Sequence, residues 1–169
     1  MDIIKAASTD IQQILELVRK CIIEMNNDGI TQWNDQYPPM DIFGKDIEKG
    51  NLFKLKNEDE IIGMIVLSSE QDKEYEPVDW TDRTGSPLVV HRLAVHPDWQ
   101  RKRLATELMT FAEKFARENG YTSIRMDTFS LNPRMQNLIM KFNYERKPGE
   151  IFFPENVEPY YCYEKILEV

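Results

Sequence analysis

Apolar positions along this 169-residue chain switch repeatedly between strand-like runs and helical spacing. That alternation predicts a mixed α/β domain rather than an all-helical or all-strand one. Ile3 and Ile4 suggest a short first strand. A helix follows, with Thr9 and Gln12 spaced as a capping box. Its apolar stripe runs through Ile11, Ile14, Leu15, Val18, Ile22 and Met25 before Asn27 and Gly29. A second helix is expected over about 41–49, ending at Gly50. Leu52–Lys56 and Glu60–Ser69 read as a hairpin, and Leu88–Val95 as a strongly apolar strand. A long helix begins near Arg101, with Leu104, Leu108, Phe111, Ala112 and Phe115 on one face and Gly120 at its C-cap. Ser123–Phe129 is the next strand. Asn132 and Pro133 then open a helix as N-cap and first-turn proline. Strands over about Tyr144–Phe153 and Tyr160–Leu167 complete the order: strand, two helices, three strands, helix, strand, helix, two strands. No repeat or linker interrupts it, so residues 1–169 read as one domain.

Composition narrows the functional classes. A formal net charge of -8 disfavours nucleic-acid backbone and modestly favours cationic partners such as amines. The one basic cluster, Arg101-Lys102-Arg103, suits a few phosphates rather than a long polyanion. No apolar run approaches membrane-spanning length, and Met1–Lys5 lacks the regions of a secretory signal, so a cytoplasmic location is expected. Cys21 and Cys162 are expected as free thiols. His91 and His96 lack ligand spacing with cysteine, so no metal is expected.

The most informative stretch is Leu88-Val-Val-His-Arg-Leu-Ala-Val-His-Pro-Asp-Trp-Gln-Arg-Lys-Arg-Leu-Ala105. A strand stops, a basic turn follows and a helix starts. The free N–H groups and dipole of a helix start form an anion site suited to a pyrophosphate. The bland alternative is a solvated basic helix start in an ordinary strand–turn–helix unit.

The segment resembles the cofactor motif of the GNAT superfamily, the GCN5-related N-acetyltransferases. The matching residues are Leu93-Ala94-Val95-His96-Pro97, then Gln100, Arg103 and Ala105; Asn132 and the run Leu138–Tyr144 match further family positions. The resemblance implies the acyl-CoA N-acyltransferase fold, a central mostly antiparallel sheet flanked by helices, with acetyl-CoA as cofactor. Leu93, Ala94 and Val95 would pair with the pantetheine arm. Gln100, Arg101, Lys102, Arg103, Leu104, Ala105 and Thr106 would wrap the pyrophosphate, and Asn132 would sit near the pantetheine or sulfur. Family members are often dimers, so a homodimer stays open.

Three departures stand out. Arg103 occupies a glycine position of the motif. Ile139 stands where many members carry a tyrosine that protonates the leaving thiolate. Asn143 replaces a glycine, a milder change because asparagine tolerates left-handed angles.

The implied reaction is direct attack of a primary amine on the thioester, with no covalent enzyme intermediate. An alkyl ammonium has a pKa of about 10.4, so a base is needed. His91 is the leading base: it shares the strand face of Leu93 and sits where arylalkylamine-type members carry a histidine. A structural histidine is its bland reading. His96 reads as a turn residue. Trp33, Asp35 and Tyr37 are candidate acceptor contacts, Asp35 for a cation and Trp33 for its carbon skeleton; the alternative is that Trp33 and Tyr37 pin the loop onto the core. Phe152, Phe153, Tyr160 and Tyr161 border the same region in the family. Glu70 and Glu150 are further candidate bases. The acidic loop 70–82 reads either as solvated or as a lid. A non-catalytic acyl-CoA sensor is the alternative to an enzyme.

Overall fold

The computed structural model describes residues 1–168. Its element order is β1 (Asp2–Lys5), α1 (Ile11–Asn27), α2 (Asp41–Glu48), β2 (Leu52–Asn57), β3 (Glu60–Ser68), β4 (Pro87–Val95), α3 (Leu104–Glu118), β5 (Ser123–Phe129), α4 (Pro133–Lys141), β6 (Glu145–Arg146) and β7 (Tyr160–Ile166). This is the order expected from the periodicity. The seven strands run β1-β2-β3-β4-β5-β7-β6 in the sheet. Pairing is antiparallel for β1–β2, β2–β3, β5–β7 and β6–β7, and parallel for β4–β5.

Contacts divide the chain into two compact units, and both β4 and α3 run through the division. The first unit holds Met1–Leu67 and Arg92–Phe111. Its core packs Ile14, Leu17, Val18 and Cys21 of α1 with Phe43 of α2, and with Leu52, Met64, Val66 and Ala94 of the strands. The α1 stripe buries because those positions recur at helical spacing. Its entry differs from the expected capping box. A 3-10 turn at Ser8–Asp10 precedes the helix, and the Asp10 carboxylate accepts from the Ala7 N–H at 2.7 Å. Asp10 also meets Lys54 at 2.6 Å, so a partly buried ion pair fixes that turn to β2. In the same unit, Asp46 of α2 takes a two-pronged hydrogen bond from Arg92 of β4, at 3.0 and 2.9 Å. The bidentate geometry anchors α2 to the strand that carries the motif.

The second unit holds Ser68–His91 and the chain from Ala112 onward. The β4–β5 ladder runs from Pro87↔Ser123 to Val90↔Met126 and ends there, while β4 continues to Val95 and β5 to Phe129. β5 pairs with β7 over its whole length. The last hairpin is shorter than expected. β6 covers two residues, and Ile151↔Tyr160 is an isolated bridge. The Lys147 N–H still bonds the Cys162 carbonyl of β7 at 2.8 Å while its side chain is buried, and Gly149 then takes a φ of 89° before the bridge.

The acidic loop after β3 is largely exposed, but Tyr75 and Trp80 are buried and its C-terminal part is clamped. Arg125 and Glu164 form a buried ion pair at 3.1 Å. Glu164 also accepts from the Thr81 N–H at 2.6 Å, and Lys147 donates to the Thr81 hydroxyl at 2.6 Å. Arg125 donates to the Asp82 carbonyl and the Gln71 amide oxygen, beneath the Trp80 ring. Burial alone would raise the Asp82 carboxyl. Hydrogen bonds from Thr122, Ser123 and the Gly85 N–H, with the Arg125 charge, outweigh it and hold Asp82 below the usual carboxylate range. A side chain at Gly85 would collide with Thr122 and Asp82, so the tight turn requires glycine there.

Candidate active site

In the first unit, β4 delivers Leu93, Ala94 and Val95 to a 3-10 turn at Pro97–Trp99. His96 is buried and belongs to that turn: its Nδ1 accepts from the Asp98 N–H at 3.2 Å. The Val95 carbonyl is occupied, accepting from the Gln100 side chain and the Cys21 thiol, each at 3.3 Å. Gln100 thus braces the end of β4 through its side chain.

The turn into α3 has an unusual backbone. Arg101 and Arg103 both adopt left-handed angles, with φ of 62° and 64°. Left-handed residues close to one another in a turn orient successive N–H groups into an anion-binding concavity. Immediately after it, Leu104, Ala105 and Thr106 open a 15-residue helix, whose first N–H groups have no partner within the helix. Arg101, Lys102 and Arg103 are exposed. Lys102 lies over the Trp99 ring, 4.3 Å from its centre. Arg103, at the motif's glycine position, therefore keeps a glycine-like backbone while its side chain stays outside. Backbone amides at a helix start, ringed by three exposed cations, make a donor set of the kind a diphosphate takes.

In the second unit, β4 presents His91 to the loop that follows β3. The Ser68 Oγ lies 3.0 Å from His91 Nε2, and Asp72 Oδ2 lies 4.0 Å from Nδ1. Asp127 of β5 accepts from the Tyr75 hydroxyl at 2.6 Å. Burial pushes the Asp127 carboxyl up to about 7; the Tyr75 hydrogen bond opposes this, and Asp72 and Glu74 reinforce it. Burial and the Asp127 charge push the Tyr75 phenol well up. Sequence reading singled out His91 but missed Ser68, Asp72, Tyr75 and Asp127. Nothing in their spacing marks them, because the contacts join residues from three separate segments.

The remaining candidates are placed as follows. Asn132 caps α4, its Oδ1 accepting from the Met135 N–H at 3.1 Å, with Pro133 in the first turn. Trp33 lies in the first unit's core, with Tyr37 packed against it, and Asp35 is exposed. Phe153 and Tyr160 are buried edge to face, 4.9 Å between centres, whereas Phe152 is exposed. Tyr161 lies under the Arg146 guanidinium at 3.5 Å. Glu70 and Glu150 are exposed. Ile139 is fully buried in α4, and Asn143 takes a φ of 60°, the angle a glycine would supply. Burial pushes the Cys21 thiol up to about 12 and the Cys162 thiol up as well. Among the described residues, no helix is long and apolar enough to cross a membrane.

Comparison with known proteins bears on what this arrangement can do. The family model described as the acetyltransferase (GNAT) family matches residues 12–144. The chain is similar to an uncharacterised N-acetyltransferase, YesJ, of Bacillus subtilis strain 168, with 23% identity covering 95% of this chain and 87% of the relative. A Staphylococcus aureus Mu50 protein solved as a candidate acetyltransferase is 30% identical, covers 99% of this chain and 100% of its own, and superposes with a TM-score of 0.78. The PaiA N-acetyltransferase of Thermoplasma acidophilum, solved in complex with coenzyme A, shares the fold at 15% identity and a TM-score of 0.72, covering 98% of each chain.

Proposed function

Since the chain belongs to the GNAT acetyltransferase family, whose members transfer an acyl group from acetyl-CoA, we propose that it is an N-acetyltransferase acting on a primary amine by direct attack on the thioester. The whole of residues 1–169 serves as one catalytic domain in this reading. The observation that carries it is the pair of left-handed arginines, Arg101 and Arg103, at the start of α3. A non-glycine residue held at such an angle costs about 1–2 kcal/mol. That cost at an exposed turn is accounted for by the need to turn backbone N–H groups toward a phosphate.

Bound acetyl-CoA supplies an activated acyl group on a good leaving thiolate. The chain's residues do the rest. Backbone amides of residues 101–106 hold the diphosphate, with Arg101, Lys102 and Arg103 adding charge. Leu93, Ala94 and Val95 offer backbone groups to the pantetheine arm, and the family resemblance assigns Asn132 to the same cofactor. A β4 amide stabilises charge developing on the thioester oxygen. His91 takes the acceptor's proton. The raised thiols of Cys21 and Cys162 suit direct transfer, because a protonated, buried thiol is a poor nucleophile. Asp35, exposed on the loop after α1, is the proposed contact for a cationic acceptor, while Trp33 and Tyr37 pin that loop onto the first unit's core.

The test is release of free CoA thiol from acetyl-CoA with a panel of primary amines. Turnover with at least one amine is expected, and His91→Ala should abolish it while leaving CoA affinity within twofold. Tight CoA binding with no turnover on any acceptor would instead establish a non-catalytic acyl-CoA sensor.

A further inference from the structure

We propose that His91 receives the acceptor's proton through the Ser68 hydroxyl, and that Asp72 positions the imidazole and holds it once charged. This rests on the reading of His91 as base. Three distances carry it. The Ser68 Oγ accepts from the Glu70 N–H at 3.2 Å and faces His91 Nε2 at 3.0 Å. The amide occupies one side of the oxygen and leaves the other facing Nε2. On the other side of the ring, the Asp72 carboxylate stands 4.0 Å from Nδ1. A negative charge there favours the tautomer with hydrogen on Nδ1, assigned from the network. The lone pair of neutral His91 then lies on Nε2, facing the Ser68 hydroxyl.

In this relay the substrate ammonium meets the Ser68 oxygen before the imidazole. As the relay operates, the Ser68 O–H bond breaks and its proton forms the Nε2–H bond. At the same time the Ser68 Oγ takes a proton from the ammonium nitrogen, which becomes the neutral nucleophile. The chain gains one proton, carried on His91, and the hydroxyl is restored. The imidazolium has Ser68 Oγ as acceptor at Nε2 and Asp72 opposite Nδ1. When product leaves, the proton returns by the same route to water. Ser68 is the last residue of β3 and is only 8% exposed, so its rotamer is fixed by packing. The Asp72 side chain is 47% exposed, so its effect on the ring is a screened charge rather than a buried pair.

The titratable groups coupled to Asp72 are Tyr75 and Asp127, with Glu74 acting on Asp127, and Glu70 joins the network through its N–H to Ser68. Burial pushes the Asp127 carboxyl up to about 7, near the ordinary range of an imidazole. The pH profiles are therefore read in an Asp127→Asn background, which keeps the Tyr75 hydrogen bond and removes that titration.

The experiment measures kcat, KM and their pH dependence for the full chain and for Ser68→Ala, Ser68→Thr, Asp72→Asn and His91→Ala, with nitrogen NMR of the His91 ring. Ser68→Ala should lower kcat by about 10²-fold or more, the scale of a lost acid–base group, with KM for acetyl-CoA unchanged. Ser68→Thr, which keeps the hydroxyl, should recover activity to within about tenfold. Asp72→Asn should move the acidic limb of kcat/KM to lower pH by about half a unit, the scale of one screened charge at this distance. The ring should carry hydrogen on Nδ1 at alkaline pH. Full activity in Ser68→Ala beside a dead His91→Ala overturns the relay and leaves the base in place. An active His91→Ala overturns the base and the relay together. If Ser68→Ala fails to fold, hydrogen on Nε2 in the unsubstituted chain at alkaline pH overturns the relay by itself.

Discussion

Arg103 offers a perturbation whose size can be worked out in advance. Its φ of 64° lies in the left-handed region, which costs a residue bearing a Cβ about 1–2 kcal/mol. Glycine escapes that cost but loses about 0.5–1 kcal/mol more chain entropy on folding. Arg103→Gly should therefore be more stable than Arg103→Ala, by about 0.75 kcal/mol at the midpoints of those ranges. Both variants remove the same exposed guanidinium, so their difference isolates the backbone. For a chain of this size that corresponds to a Tm gap of about 1–4 °C. Paired thermal and urea melts would measure it. Equal stability, or a less stable glycine variant, would refute the claim that this turn is held in a glycine-like conformation against the preference of its side chain.

Three further outcomes follow from the buried charges and caps. Glu164→Gln leaves Arg125 and Lys147 without their shared carboxylate beneath the loop, a change that costs about 3–5 kcal/mol; a urea-melt loss below about 1 kcal/mol would contradict the clamp. The Asp127 carboxyl is raised in the folded chain to about 7, above an unfolded value of about 3.9. Its charged form is thus penalised by folding, a deficit absent below the unfolded value, growing as pH rises toward 7 and constant above. Asp127→Asn should accordingly gain Tm over the unsubstituted chain progressively between pH 4 and 7, and a gain that shrinks with pH would contradict this. Asn132→Ala removes the α4 cap and should cost about 1 kcal/mol in thermal unfolding, with no loss contradicting the capping role.

Much of this was legible in the sequence because local rules decided it. Asn132-Pro133, Gly120 and the α1 and α3 stripes are each set by residues within a few positions of one another, and the structure follows them. Asn143, expected to tolerate a left-handed angle, adopts one. Long-range pairing hid the rest. The expected strand from Tyr144 onward is cut short ahead of Gly149, whose φ of 89° is left-handed, while Lys147 reaches Glu164 and Thr81, residues far along the chain. The clamp on the acidic loop joins Arg125 to Gln71, Asp82 and Glu164, and no spacing rule announces it. The α1 entry departs from the expected Thr9–Gln12 box: a 3-10 turn at Ser8–Asp10 precedes the helix, and the Asp10 carboxylate bonds the Ala7 N–H and distant Lys54. Around His91, one histidine was visible, whereas the serine and aspartate facing its two nitrogens came from a strand end and an irregular loop.

The account stands on the amides at the start of α3 as the diphosphate grip. Titrating CoA into isotope-labelled protein while following backbone amide resonances tests this most directly. The account predicts saturable one-to-one shifts that are largest for residues 101–106, with smaller ones along residues 93–95. Shifts confined to other segments, or none at millimolar CoA, would contradict it.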